Sequence, residues 1–278
     1  VENKKTRIRN YLNLADATIY YEVTGDGPAL VFAHGLSGNH LSWWQQVPYF
    51  SDRYTCVTFA HRGFPPSTEQ VDSKGSAAFG DDLAALIDHL NLPEVYLVGQ
   101  SMGGWTCVEY TFHHSEKVRG LILASTIGHL DDDTLTYPGI EKIPEWFEQV
   151  AQTRQALKEQ GIEAAAGARM AKEQPALHYL YREIDDFTTP EFKSKIGPGV
   201  ANVPTRPLSW LARIGLPTLF VVGEEDVLFP AIIAEAAASV LPMARVVRVP
   251  QAGHSVYFEH AATFNTIVDE FLSSLSTK

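Results

Sequence analysis

Ser101 lies in Gly99-Gln100-Ser101-Met102-Gly103-Gly104, where a short apolar run, Val95 to Val98, gives way to a helix beginning near Met102. Glycines two positions before and after a serine relieve the crowding of a sharp strand-to-helix turn, which pushes the hydroxyl outward as a nucleophile. The pattern alone is weak, because its three fixed residues are common ones. The hydroxyl also needs a base, since it attacks poorly at neutral pH while it keeps its proton. His254, in Gln251-Ala252-Gly253-His254-Ser255, occupies a loop between the last predicted strand and the last predicted helix. Of the ten histidines, His89, His113, His114, His129 and His178 read more simply as packed or solvated side chains.

An imidazole that takes up a proton needs an acid to fix its tautomer and stabilise the resulting cation. Val222-Gly223-Glu224-Glu225-Asp226 follows another predicted strand and offers three carboxylates. Asp226 is preferred to Glu225 because the later position suits a loop reaching back to the histidine. Charge that develops on a substrate carbonyl oxygen calls for fixed backbone N–H donors. Met102 N–H opens the helix after the serine, at the positive end of its dipole. Leu36 N–H, in Ala33-His34-Gly35-Leu36-Ser37-Gly38, is the second candidate, although His34-Gly35 alone also fits an ordinary strand-ending turn.

These stretches must be brought together by the elements between them. Thr18 to Val23, Ala29 to Ala33, Tyr54 to Phe59, Val95 to Val98, Leu121 to Ala124, Thr218 to Val222 and Arg245 to Val249 read as strands. Several are continuously apolar, as expected when helices cover both faces of a parallel sheet. Ala77 to Leu90, Ala231 to Leu241 and Glu259 to Leu275 carry one apolar stripe at helical spacing. The alternation predicts a mostly parallel, doubly wound α/β sheet, with ligands bound outside the carboxyl ends of its strands. Ser101, Asp226 and His254 all fall at such ends.

From about Gly128 to Trp210 the rhythm breaks, and no buried strand is expected. Ile143, Trp146, Phe147 and Val150 share one helical face, and Leu177, Leu180, Tyr181 and Ile184 share another. These faces either pack an insertion onto the sheet or form the underside of a lid over a pocket. Trp146, Phe147 and Phe229, beside the acid loop, are the candidate pocket wall. Asp131-Asp132-Asp133 lacks the ligand spacing of a calcium loop and reads as a solvated turn.

The chain has 278 residues, 45% of them hydrophobic, and a net charge of −11 from 22 Lys plus Arg against 33 Asp plus Glu, with no basic block. Nucleic acid and anionic membranes are therefore poor partners. Cys56 and Cys107 lie in apolar runs and make no disulfide framework. No run approaches the roughly 18 apolar residues of a membrane span. A cytoplasmic protein is the expectation, with a leader removed ahead of Val1 left open. The sequence is silent on oligomeric state.

His34-Gly35 after an early strand, Gly99 to Gly103 at the turn, Asp226 in Gly-x-x-Asp and Gly253-His254 together resemble the α/β-hydrolase family, serine branch, over about Thr18 to Leu275. The resemblance implies an eight-stranded sheet, with residues 1–127 and 211–278 as the core and a helical cap, residues 128–210, inserted after the sixth strand. It also implies Ser101 as nucleophile, His254 as general base and then acid, Asp226 as the orienting acid, and Leu36 and Met102 as oxyanion donors, with no metal or organic cofactor. Relatives often carry Asp-x-Arg-Gly-x-Gly-x-Ser after the fourth strand, whereas this chain reads Ala60-His61-Arg62-Gly63-Phe64-Pro65-Pro66-Ser67. Serine rather than aspartate at the turn implies acyl transfer, not dehalogenation or epoxide opening. The expected activity is hydrolysis of small to medium hydrophobic carboxylic esters. Alternatives are a lactonase, a perhydrolase, or a carbon–carbon hydrolase of ring-fission products, whose relatives commonly have Trp where Ser255 stands. A ligand receptor on the same scaffold is the reading without catalysis.

Overall fold

The computed structural model describes residues 7–131, 135–200 and 203–275. Its main sheet holds β1 Arg7–Asn13, β2 Ala17–Thr24, β3 Ala29–Ala33, β4 Thr55–Phe59, β5 Val95–Gln100, β6 Val118–Ala124, β7 Thr218–Gly223 and β8 Ala244–Val249. The spatial order is β1-β2-β4-β3-β5-β6-β7-β8, and a two-residue strand, Thr68–Glu69, pairs with β2 as a ninth member. β2 runs antiparallel to β1 and β4. From β4 to β8 every pairing is parallel. This is the doubly wound architecture that the alternation predicts.

The central strands are apolar throughout because both of their faces are covered. In β3, Leu30 and Phe32 join one core cluster while Ala29, Val31 and Ala33 join the other, following the two-residue alternation of a strand. One face is packed by α1 Phe79–His89, α2 Met102–His113 and, later in the chain, a helix over Ala231–Val240. The opposite face is packed by the short helix Gln46–Phe50 and by the C-terminal helix Ala261–Leu275, through Phe264, Val268, Phe271 and Leu272. β1 escapes the search for apolar runs because its sequence, RIRNYLN, is almost wholly exposed. An edge strand of this kind is held by backbone pairing rather than by burial.

Between β6 and β7 come α3 Ile143–Glu159, α4 Ala168–Glu173, α5 Pro175–Asp185 and α6 Pro190–Val200. A two-residue parallel bridge, Leu130–Asp131 with Arg206–Pro207, closes the base of this segment, although no strand is expected there. Two residues are too few to leave a periodic signal. Asp132 and Asp133 lie outside the described residues. The last predicted helix begins two residues later than expected, at Ala261, and a separate short helix, Val256–Glu259, precedes it. Among the described residues no helix is long and apolar enough to cross a membrane.

Candidate active site

Ser101 follows β5 directly and caps α2, with φ 49° and ψ −116°. A positive φ at a serine is strained, and it is sustained only where the surroundings fix the backbone. Here Ser101 N–H donates to Ala124 O at 2.9 Å, and Gly104 N–H donates to Ser101 O at 2.9 Å. The turn also lies hard against β3, since a Cβ added to Gly103 would fall 2.1 Å from Ala33 O and 2.8 Å from His34 O. Both obstacles are backbone and cannot swing aside. Gly103→Ala is therefore expected to cost roughly 3 kcal/mol and lower the Tm by roughly 5–10 °C in thermal denaturation. An unchanged Tm would mean that the turn accommodates the methyl group.

At the neighbouring carboxyl ends, the acid and histidine loops are laced together by backbone bonds, Glu224 N–H to Val249 O and Glu225 N–H to Ala252 O. Gly223 makes the approach possible, because a Cβ there would lie 2.1 Å from Gly253 O. Asp226 Oδ1 accepts the N–H groups of Leu228 at 2.7 Å and Phe229 at 2.9 Å. Its Oδ2 accepts from His254 Nδ1 at 2.8 Å. With Nδ1 committed to a carboxylate, Nε2 is the nitrogen left to act as a base. Both side chains are buried. Burial alone would push the His254 imidazole down. The Asp226 charge and hydrogen bond outweigh it, with Glu259 and Glu163 adding to the effect, and the pKa stands above the ordinary histidine value. Glu225, the alternative acid, instead pairs with Arg169 at the surface.

Glu259 is a site residue that the sequence reading did not single out. Its Oε2 accepts Gly253 N–H at 2.9 Å and its Oε1 accepts Ser255 N–H at 3.0 Å, gripping the backbone on either side of His254. Burial pushes this carboxyl up to about 7 against the pull of the two amides. Its position five residues after His254 becomes meaningful only when one asks what satisfies the amides of a buried loop. Gln100, in the serine turn, donates from Nε2 to His254 O at 3.3 Å and so joins the two loops. Ser255 Oγ donates to Tyr181 Oη of α5 at 3.1 Å, tying the helical segment to the histidine loop.

Met102 and Leu36 share one apolar cluster with Ala60, Phe64, Phe79 and Ile196, against which Trp105 and Phe192 also pack. The two backbone stretches expected to supply oxyanion donors are therefore neighbours, and α6 supplies part of their cover through Phe192 and Ile196. Trp146 lines a cleft of about 360 Å3 together with Asp226, Lys142 and Arg248. Phe147 is 40% exposed, and Phe229 packs against a core cluster beneath the acid loop. On α5, Leu177, Tyr181 and Ile184 belong to or pack against a core cluster, while Leu180 is exposed at the edge of that stripe. A larger cavity of about 430 Å3 opens elsewhere, between β2, β4 and the helix Gln46–Phe50, and none of the three candidate catalytic residues lines it. Among the described residues no group of three or more His, Cys, Asp and Glu side chains could hold a metal.

The family model described as alpha/beta hydrolase fold matches residues 28–261. A Bacillus subtilis protein provisionally named 2-succinyl-6-hydroxy-2,4-cyclohexadiene-1-carboxylate synthase is 27% identical over 281 residues, covering 92% of this chain and 96% of that one. The 3-oxoadipate enol-lactonase 2 of Acinetobacter baylyi is 32% identical over 126 residues, 45% of this chain and 47% of that one. The structure of a thermophilic esterase from Thermogutta terrifontis superposes with a TM-score of 0.77 at 24% identity, covering 97% of this chain and 99% of that one, which is a likeness of fold.

Proposed function

Because the chain belongs to the α/β-hydrolase fold family, we propose that it is a serine hydrolase cleaving carboxylic esters of small to medium hydrophobic substrates through an acyl-enzyme. The observation that carries this reading is the 2.8 Å bond between His254 Nδ1 and Asp226 Oδ2, which leaves Nε2 as base at the carboxyl end of the sheet, where strained Ser101 directly follows β5. Ser101 Oγ attacks the ester carbonyl carbon as Nε2 takes its proton, and the carbonyl oxygen becomes an oxyanion held by Leu36 and Met102 N–H. Collapse of this intermediate expels the alcohol, which leaves with the proton from His254. Water activated by the same nitrogen then releases the acid and restores Ser101.

Residues 128–210 act in this reading as a cap on a core of residues 1–127 and 211–278. Leu36, Trp105 and Phe192, which are only partly buried, give the substrate an apolar wall, with Trp146 at the cleft beside Asp226. Lys193, a cation of the cap, is already bound to Asp185 Oδ1 at 2.5 Å and to Asp185 O at 2.8 Å. That commitment removes Lys193 as a cationic anchor of the kind an acid substrate of a carbon–carbon hydrolase would need. A lactone is a cyclic ester opened by the same two steps, and the relative named an enol-lactonase supports including lactones among the test substrates.

Fluorophosphonate labelling with peptide mapping, run beside chromogenic esters of graded chain length, tests the assignment. Modification at Ser101 and turnover above a Ser101→Ala blank are the expected results. Label on another residue, or no ester turned over, would remove it.

A further inference from the structure

Behind the proposed oxyanion site lies a buried chain of polar groups that the triad does not use. His34 Nδ1 is 2.7 Å from Gly35 O, which can only accept, so Nδ1 carries the proton and Nε2 is bare. That nitrogen accepts His61 N–H at 3.0 Å and faces His61 Nδ1 at 2.9 Å. Two bare nitrogens would repel, so His61 Nδ1 also carries its proton and donates. His61 Nε2 is then bare and accepts from Thr106 Oγ1 at 2.8 Å. His34, His61 and Thr106 are each no more than 1% exposed. Burial pushes the His34 pKa down to about 3 and that of His61 well below its ordinary value, so both rings are neutral and the direction of every bond is fixed.

The two ends of this chain matter. Thr106 stands on α2, one turn beyond Met102, and the carbonyl gripped by His34 belongs to Gly35, the residue before Leu36. The chain thus spans from the helix bearing one proposed oxyanion donor to the loop bearing the other. Leu36 is the second residue of a turn closed by Gly38 N–H to Gly35 O at 3.1 Å, so the same carbonyl takes both bonds. Ring packing holds the imidazoles in place: His61 lies 4.5 Å from the Phe79 ring centre, and His34 lies 5.0 Å from that of Phe64.

We infer that His61 is a positioning residue for the oxyanion hole, holding Leu36 N–H and Met102 N–H at the spacing of a tetrahedral alkoxide by joining α2 to the Gly35 carbonyl through His34. The inference rests on the Ser101 reading. Its action is confined to the transition state, where the oxygen carries full charge, so it should appear in kcat rather than KM. It also gives a role to His61, which directly follows Ala60, one of the two positions at which the chain departs from the common family motif.

The test compares His61→Phe, His61→Asn and Thr106→Val with the wild type, using ester kinetics and inhibition by an aryl trifluoromethyl ketone. Ser101 Oγ adds to that ketone carbon, its proton passes to His254, and the former carbonyl oxygen becomes an alkoxide seated in the hole. His61→Phe keeps a ring and removes both side-chain bonds, leaving only the backbone N–H of residue 61 on His34 Nε2. A fall in kcat of about 10- to 100-fold, KM within about 3-fold, and ketone affinity weakened by a similar factor are expected. His61→Asn, whose amide can still donate to His34 Nε2, should recover most of the loss, and Thr106→Val should lose about 3- to 10-fold in kcat and ketone affinity alike. Unchanged ketone affinity and kcat in a folded Thr106→Val, or a loss expressed wholly in KM, overturns the inference even if His61→Phe fails to fold. Wild-type protein that fluorophosphonate does not label at Ser101 overturns the Ser101 reading and this inference with it. Labelled, active wild type with unaffected variants overturns the inference alone.

Discussion

Asp226→Asn is expected to lower kcat by about 10^4-fold while KM changes less than about 3-fold. The reason lies in how the carboxylate is shared. Oδ1 is occupied by the N–H groups of Leu228 and Phe229, and Oδ2 by His254 Nδ1. An asparagine can satisfy the two backbone donors only by turning its oxygen toward them, which aims its NH2 at His254. Nδ1 must then accept, the proton moves to Nε2, and the proposed base can no longer take a proton. The backbone bonds survive, so the fold should persist with a Tm within a few degrees of the wild type. Loss of the carboxylate charge also removes the main influence holding the His254 pKa above its ordinary value, and any residual activity should extend to lower pH. Steady-state ester hydrolysis measured across pH 5–9 checks both points. A variant within about 10-fold of wild-type kcat would show that Asp226 does not orient the base.

The parallel core was legible because its strands are buried on both faces and so leave continuous apolar runs, as Leu219 to Val222 do. β1 was not, since it contributes an edge and its side chains face water. The loop that carries His254 could be located from Gly253-His254 and its place after β8. Its supports could not, because Glu259, Gln100 and Tyr181 act through backbone amides, a carbonyl and a hydroxyl that no periodicity records. The helical faces were read in part correctly. Tyr181 and Ile184 are buried, whereas on α3 only Val150 and Leu157 are, leaving Phe147 outward. An apolar stripe identifies the face that covers something, but not how much of it is covered. His61 shows the deeper limit: alone in sequence it is an ordinary loop histidine, and its chemistry exists only beside His34 and Thr106.

The buried His34 and His61 imidazoles, together with that of the half-buried His40, make the fold sensitive to acid, and this sensitivity should separate from the loss of activity. Burial pushes His34 down to about 3, His40 down to about 4 and His61 well below its ordinary value. A histidine with a depressed folded pKa contributes stability that is present above the unfolded value of 6.5 and is lost as pH falls through it toward the folded value. At pH 5 His34 and His40 each cost about 2 kcal/mol, because the unfolded chain takes up the proton and the folded protein does not, and His61 adds to the loss. Glu259 acts in the opposite direction. Its pKa, raised to about 7, means that the folded form gains about 2 kcal/mol as the pH drops from 7 to 5. A net loss of stability over that interval is expected, read from urea denaturation at pH 5, 6, 7 and 8. Activity should fail earlier. The His254 pKa stands above the ordinary histidine value, so the neutral base is depleted at a higher pH than that at which the other three rings become charged in the unfolded chain. At pH 6 the protein should be folded yet slow, and it should recover full turnover on return to pH 8. Stability that is flat or rising from pH 7 to 5 would mean that these imidazoles are not held neutral in the folded protein.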